Sequence, residues 1–488
     1  MFDPLHTGLK ANALLIENGY IAKLFIKKPR VGSHIRVINI HGSCIIPGFI
    51  DSHTHLVARG LELQHIDLGS CVSLNECLQN LHAHAVDRAV VVGYNWDESA
   101  WRSFHRDMLD RKVLDRISRH KPVIMRRVCG HCAVVNSVAL KKIPRHWKIV
   151  NRRTGWLYED AALYLHDIFK PDPAMAFKAV DLGINTALRN GITSIHEIGD
   201  LDRFALLQRA QRAHGLRVRI AFYVLAYDMD NVIASRLMNG FGNEFLKFAG
   251  IKVFMDGSIG ARTAALSQPY PGTRVRGKIL MPRRRLADIV QRAERHDLPL
   301  MIHSIGDRTT TRVLSVLQQY ADRSNRLRHR LEHLEVLDQK AIHRIARLGL
   351  IASMQPNFVK RWQQPRGMYE KYIGMRYQQM NCFRTMRRAG IRLTFGSDCM
   401  PIGPLYGLQG ACEHPFPCGR ISRSIAFRLY TQAGAYATGD EYTKGQLREG
   451  MFADLVVLNE DPRTIKTLDH LKILMTIVGG KVMFTKRS

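Results

Sequence analysis

The chain has 488 residues, enough for a full barrel with one or two smaller domains beside it. Its 72 basic and 42 acidic side chains leave a formal net charge of +30, which favours anionic partners and keeps nucleic-acid binding open as a function class. No run of about 18 apolar residues predicts a membrane-spanning helix. The opening MFDPLHTGLK lacks the apolar core of a secretion signal, and nine cysteines in a chain this long make no disulfide framework, so a reducing cytoplasm is the expected setting.

Before Cys44 the chain reads as short strands and turns, with LLIENGYIAKLFI as a hairpin around Asn18-Gly19. An apolar segment, Cys44-Ile45-Ile46, then leads through Pro47 and Gly48 into Phe49-Ile50-Asp51 and delivers His53 and His55 two residues apart. Alternate side chains on a strand share a face, so both imidazoles can address one object. Neutral imidazole is the commonest nitrogen ligand for Zn²⁺, and two of them make half of a metal site. Such a pair alone is a weak signal, because surface strands carry it by chance. It gains force if further ligands arrive at the ends of later strands.

Between His55 and the next strand lie about 120 residues, far beyond an ordinary βα loop. The span from Leu63 to Pro173 therefore reads as an inserted α/β subdomain at the barrel mouth, placed to close over a site and shape its choice of substrate. Trp96, Trp101, His131, Asn136 and Glu159 fall within it. The tryptophans read as core. His131, among glycine and small residues, is open to two readings, a satisfied structural histidine or a group that polarises a reacting carbonyl. Cys129 and Cys132 flank it as C-x-x-C, but no second pair at zinc-finger spacing follows, so they read as small buried residues.

Strand-like segments then recur. GITSIHEIG ends near His196, which suits substrate contact, support of a ligand, or plain packing. LRVRIAFYVLAY follows. In the fourth, GIKVFMDGS, alternation puts Lys252, Phe254 and Asp256 on one face. A lysine facing the barrel interior must be paired or neutralised. It either pairs with Asp256 or Asp398, or carries CO₂ as an anionic carbamate. The residues alone favour the ion pair, since a carbamate needs a special site. Arg262, just after this strand, could hold a substrate carboxylate or an internal aspartate, the ion pair being the simpler reading. LPLMIHSIG ends on His303, with Asp307 placed to orient it or to cap the next helix. HRLEHLEVL ends on His333, LGLIASMQPN follows, and GIRLTFGSD reaches Asp398. With helix-like ADIVQRAERH and QKAIHRIARLG between them, eight strands with polar ends predict a (β/α)₈ barrel with its chemistry at the carboxyl ends. The tail, from MFADLVVLNED to LMTIVGGKVMFTKR, returns to strands with a Gly479-Gly480 turn. The expected division is 1–46 and 440–488 as two parts of one small β-sandwich, with 47–439 as the barrel and its insertion.

The motifs PGFIDSHTHL, GYNWDESAW, RRVCGHCAVVNSVAL, GITSIHEIGD, KVFMDGSIGARTAAL, HSIGDR, RLEHLEVL, SMQPN, FGSDCMPIGPL and KGQLREGMFADLVVLNEDP run the length of the chain in this order. In them the chain resembles the amidohydrolase superfamily, specifically the type-3 subgroup that includes N-substituted formamide deformylases. The resemblance implies His53 and His55 as ligands from strand one, Lys252 as a bridging, carboxylated lysine, and His303 and His333 as ligands from strands five and six. It implies Asp398 as an acid–base carboxylate that also touches metal. It also implies that the two termini share one sandwich.

These readings predict one or two divalent ions, Zn²⁺ first, and a small-molecule amide as substrate. Metal-generated hydroxide would attack the amide carbonyl, polarised by a second metal or by His131, while Asp398 moves a proton to the departing amine. His196 and Arg262 are the candidate substrate contacts. A deaminase, a lactonase, an inactive barrel or a basic nucleic-acid-binding protein are the rivals. The last is weakened by charge spread along the chain, with one small cluster at Arg283-Arg284-Arg285 and no recognised nucleic-acid motif. No membrane partner or specific nucleic acid is expected, and a homo-oligomer stays open.

Overall fold

The computed structural model describes residues 1–486 except positions 7, 9, 102, 146, 148, 149 and 164. Eight parallel strands pair in chain order: β1 (Phe49–Thr54), β2 (Ile192–Gly199), β3 (Arg219–Leu225), β4 (Leu246–Phe254), β5 (Leu300–Ser304), β6 (Arg330–His333), β7 (Ile351–Met354) and β8 (Arg392–Phe395). Both faces of these strands are covered, which is why β2 and β3 are buried at every position. Amphipathic helices form the outer layer. Arg283–Arg295, for example, buries Leu286, Ile289, Val290 and Ala293 and leaves the Arg283-Arg284-Arg285 cluster in solvent.

The last strand meets the first through specific contacts. Asp398 donates its backbone N–H to the His53 carbonyl at 2.8 Å, Ser397 donates to Asp51 at 2.8 Å, and the Ser52 and Thr394 hydroxyls meet at 2.7 Å. Gly396 allows this approach, since a side chain there would begin 2.4 Å from the His53 nitrogen. Closure thus places the His53 and Asp398 backbones side by side.

The segment Cys44–Pro47 is an edge strand of a separate antiparallel sheet, ordered Lys481–Thr485, Ile473–Val478, Leu455–Leu458, Cys44–Pro47. The break falls at Pro47-Gly48, where the chain leaves one sheet for the other. The fourth barrel strand begins earlier than the apolar run suggested, at Leu246, with a register shift opposite Phe222 and Tyr223. The hairpin Ala13–Glu17 with Tyr20–Phe25 packs Leu14, Ile16, Ile21 and Leu24 against Leu455 and Ile477, completing a small sandwich from both termini. Its turn residues Asn18 and Gly19 are both left-handed, as a two-residue hairpin requires. Cys382 and Cys418 form a disulfide that ties two loops. No helix among the described residues is long and apolar enough to cross a membrane.

The insertion is built on a mixed six-stranded sheet, ordered Ile66–Asp67, Val91–Trp96, Val123–Arg127, Cys132–Val135, Trp156–Tyr158, Val150–Asn151. Trp96 is fully buried against Trp101, Phe104 and Trp156, so it packs rather than touches substrate. Asn136 caps the helix Ser137–Lys142 and accepts from Val123 N–H, a structural role. Arg127 anchors the insertion: its guanidinium binds Glu98 at 2.8 Å and Asp97 at 3.1 Å, while Asp97 also accepts from the Trp362 indole after β7.

Arg219 of β3 joins barrel to sandwich. Its guanidinium makes paired hydrogen bonds to Asp454, at 2.7 and 3.1 Å, under the Phe452 ring at 3.7 Å. Removing one partner of a buried pair typically costs about 3–5 kcal/mol. Glu244, 3.2 Å from the same guanidinium, should hold Asp454→Ala to the lower end of that range. The midpoint of urea unfolding should fall accordingly, and an unchanged midpoint would contradict this coupling.

Candidate metal centre and active site

The carboxyl ends of the strands bring His53, His333 and Asp398 together, with one ligand atom from each within 4.8 Å of the others, all three side chains buried. Two of these residues, one at the end of β6 and one just past β8, have left-handed backbone. His333 has φ of 71° and Asp398 has φ of 51°. Such backbone is costly for residues other than glycine, and here it swings the side chains inward over the barrel mouth.

Each imidazole is aimed by its far nitrogen. His53 donates from Nδ1 to Glu332, leaving Nε2 toward the cluster, 3.7 Å from Asp398. His333 donates from Nδ1 to Gln355 at 2.7 Å, which frees its Nε2. His303 is reversed. Its Nε2 lies 3.2 Å from the Gly257 carbonyl and 3.6 Å from Asp256, so Nδ1 is its free nitrogen, with the ring 4.4 Å from that of His333. His55, just past β1, reaches Asp398 at 3.3 Å. Burial pulls His53, His303 and His333 away from protonation, and a neutral imidazole is what a metal requires. The donor set is nitrogen with carboxylate oxygen and no thiolate, which suits Zn²⁺ or a similar divalent ion.

Lys252 does not make either ion pair that the sequence offered. Its amine is fully buried, 3.4 Å from His53 Nε2 and 4.9 Å from the Phe254 ring centre, and burial lowers its pKa to about 8. Among the described residues no carboxylate lies within ion-pairing distance of it. Asp256 is instead occupied by the backbone N–H groups of Ala265, Ile305 and Gly306, at 2.9 to 3.0 Å. Asp307 likewise does not orient His303. It sits at the start of helix Asp307–Tyr320 and accepts from Ser267 N–H at 2.8 Å.

Asp398 is held ionised. Burial opposes its charge, but His55 and the nearby cations outweigh burial and keep its pKa below the usual range. His131 faces the cluster from the insertion, its ring 5.5 Å from that of His303, and donates from Nδ1 to Glu159 at 2.7 Å. Burial works against its charge, yet the Glu159 carboxylate prevails and pushes it up to about 9. A cavity of about 1090 Å³ opens from these residues between barrel and insertion.

The structure does not bring His196 or Arg262 to this cavity. His196 is sealed below the cluster, where its Nδ1 accepts from Arg330 at 2.8 Å. Arg262 stacks on Tyr372 at 4.6 Å and lines a separate depression with Trp101 and Lys371. The sequence reading missed the orienting residues. Glu332 and Gln355 stand in or just past predicted strand ends, but their roles come from contacts with histidines of other strands. Glu197 also escaped notice. It accepts from Leu56 N–H at 2.6 Å and Val57 N–H at 3.1 Å, fixing the helix that follows His55.

An eight-stranded parallel barrel with imidazoles and a carboxylate converging at its carboxyl ends defines a metal-dependent hydrolase. Residues 36–484 match the model of the amidohydrolase family, and the chain belongs to that family. It is 27% identical to a putative amidohydrolase, YtcJ, of Bacillus subtilis, over 100% of this chain and 98% of that one. It is 24% identical to an N-substituted formamide deformylase of Arthrobacter pascens, over 98% and 95% of the two chains. Uncharacterized metal-dependent hydrolases of Pyrococcus horikoshii OT3 and Pyrococcus furiosus share the fold. Their TM-scores are 0.76 and 0.73, each at 24% identity, covering 94% and 92% of this chain and 95% of each of theirs.

Outer hydrogen bonds to metal-ligating histidines are typically worth about 10–100-fold in metal affinity. Gln355→Leu should therefore weaken Zn²⁺ binding by about that factor in a chelator competition, with the fold intact by circular dichroism. Unchanged affinity would remove His333 from the ligand set.

Proposed function

We propose that this amidohydrolase cleaves a non-peptide carbon–nitrogen bond of a small amide, of the formamide type, by water attack at the barrel mouth. The observation that carries this reading is the convergence of His53, His333 and Asp398, with His55 and His303 beside them. The relative named for formamide deformylation supports the bond type. His53, His55, His303 and His333 would hold one or two divalent ions, with Asp398 and Lys252 as oxygen ligands. When bound, such an ion supplies the Lewis acidity that lets water ionise near neutral pH.

The chain's own groups do the rest. Asp398, ionised and beside His55, takes the proton of the attacking water and delivers it to the nitrogen that leaves. His131, kept protonated by Glu159, donates to the carbonyl oxygen as it gains negative charge. Lys252, buried without a carboxylate partner, suits carbamate formation. Its neutral amine adds CO₂, forms the N–C bond and releases one proton, which converts a costly buried cation into an anionic oxygen donor. The surplus of basic residues acts through solubility and attraction of anions rather than through a specific nucleic-acid site.

Asp398→Asn keeps an oxygen donor but cannot cycle a proton. The variant should fold and lose at least about 10²-fold in kcat on any N-substituted formamide or other amide that the native enzyme hydrolyses. Near-native turnover would exclude Asp398 as the proton carrier.

A further inference from the structure

Two adjacent arginines on one strand of the insertion have opposite fates. Along Val123–Arg127 the side chains alternate, so Met125 and Arg127 enter the insertion's own core while Ile124 and Arg126 face the cavity above the metal cluster. Arg127 is charge-paired with Asp97 and Glu98, although its Nη1 is left without a hydrogen-bond partner. The Arg126 side chain has no hydrogen bond or ion pair among the described residues, and its Nε is buried without a partner. On the same wall Arg59 Nε and His65 Nδ1 are also buried and unpartnered. Arg59 otherwise turns to Glu62 at 3.3 Å, and Arg88 turns to the Gln64 carbonyl at 2.9 Å. The positive field is felt locally. Burial first, then Arg88 and Arg126, hold His65 neutral, its pKa down at about 4.

Arg126 is half-buried with its Nε shut away from solvent, and a guanidinium left without a counter-charge at a cavity wall gains by binding an anion there. The rim acids do not serve: Glu62 is taken by Arg59, Asp172 caps the helix Pro173–Arg189, and Asp87, though on the same cavity, is exposed and makes no ion pair with Arg126. The position fits substrate. Arg126 Nη2 lies 4.0 Å from where a side chain at Gly130 would begin, and the next residue is His131, which faces the metal cluster. Gly130, with φ of 71°, thus leaves room beside the guanidinium. Val92, Ile124, Val128 and Leu225 line the same cavity and offer apolar surface to the remainder of a ligand. An arginine fork presents two parallel donors, the pattern a carboxylate accepts.

We propose that Arg126 anchors substrate and that the amides cleaved here carry a carboxylate, as N-acyl amino acids do. This rests on the hydrolase reading and narrows it. The test uses hippurate (N-benzoylglycine) and its neutral carboxamide, hippuramide, as a matched pair, titrated calorimetrically into the metal-loaded Asp398→Asn protein. A charge-assisted hydrogen bond corresponds to about ten- to hundredfold in affinity. Hippurate should therefore bind at least about tenfold tighter than hippuramide. Adding Arg126→Met should bring the two to parity, and Arg126→Lys should keep part of the preference, with thermal melting confirming that both variants are folded. Equal binding of the pair, no binding of hippurate, or a preference that survives Arg126→Met would overturn the proposal. Native-enzyme turnover of the same pair separates the two readings. Cleavage of both without preference removes the anchor and leaves the hydrolase. Cleavage of neither, with the binding preference intact, leaves the anchor and counts against the hydrolase reading.

Discussion

A guanidinium sealed inside the barrel sets the geometry of everything above it. Arg330 is fully buried, and it donates to Glu332 at 2.7 Å, to the Ser52 carbonyl and to His196. Glu332 in turn receives His53. A charge in that position is tolerable only because each of its three nitrogens finds an acceptor, so the acceptors cannot drift. The consequence runs upward. His53 is locked in one tautomer and one orientation, and because closure hydrogen-bonds Asp398 N–H to the His53 carbonyl, the carboxylate of β8 is placed by the same framework.

The cluster above this base would be a poor arrangement in water. Four imidazoles, a lysine and a carboxylate crowd one mouth, with burial disfavouring every charge. Neutral imidazoles suit a cation, and the ionised Asp398 supplies a counter-charge. The insertion completes the enclosure. Its anchor through Arg127, Asp97 and Trp362 fixes it to the helix Pro356–Trp362 after β7, and His131 enters from above. Exclusion of bulk solvent strengthens each of these interactions. The same enclosure leaves Arg126 facing the cavity.

Much of this was legible in the sequence, for physical reasons. Buried parallel strands must be continuously apolar, so all eight were visible as short runs, and polar residues at their ends stood out against them. His53, His303, His333 and Asp398 could be read because each terminates such a run. Other features depend on which way a side chain turns after its strand ends. Asp256 obeys the alternation of β4 in sequence but lies beyond Phe254, where the backbone of the β5 loop claims its carboxylate. His196 lies within β2 rather than at its tip, and so falls below the site. Arg262 turns onto Tyr372 from a left-handed backbone that no local pattern announces. Glu332 and Gln355 act through contacts between strands, which spacing along one strand does not reveal.

The proposed function needs metal held by these side chains, and Lys252, if it carries a carbamate, would supply an oxygen bridge between two ions. Elemental analysis of protein purified with divalent metal and bicarbonate tests it most directly, read together with the intact mass at Lys252. The account predicts close to two ions per chain, as in two-metal hydrolytic sites, and a drop to one or none in Lys252→Ala with partial rescue by a small carboxylate. Saturation at one ion with Lys252 unmodified would contradict the bridge, and the absence of stoichiometric metal would contradict the site itself.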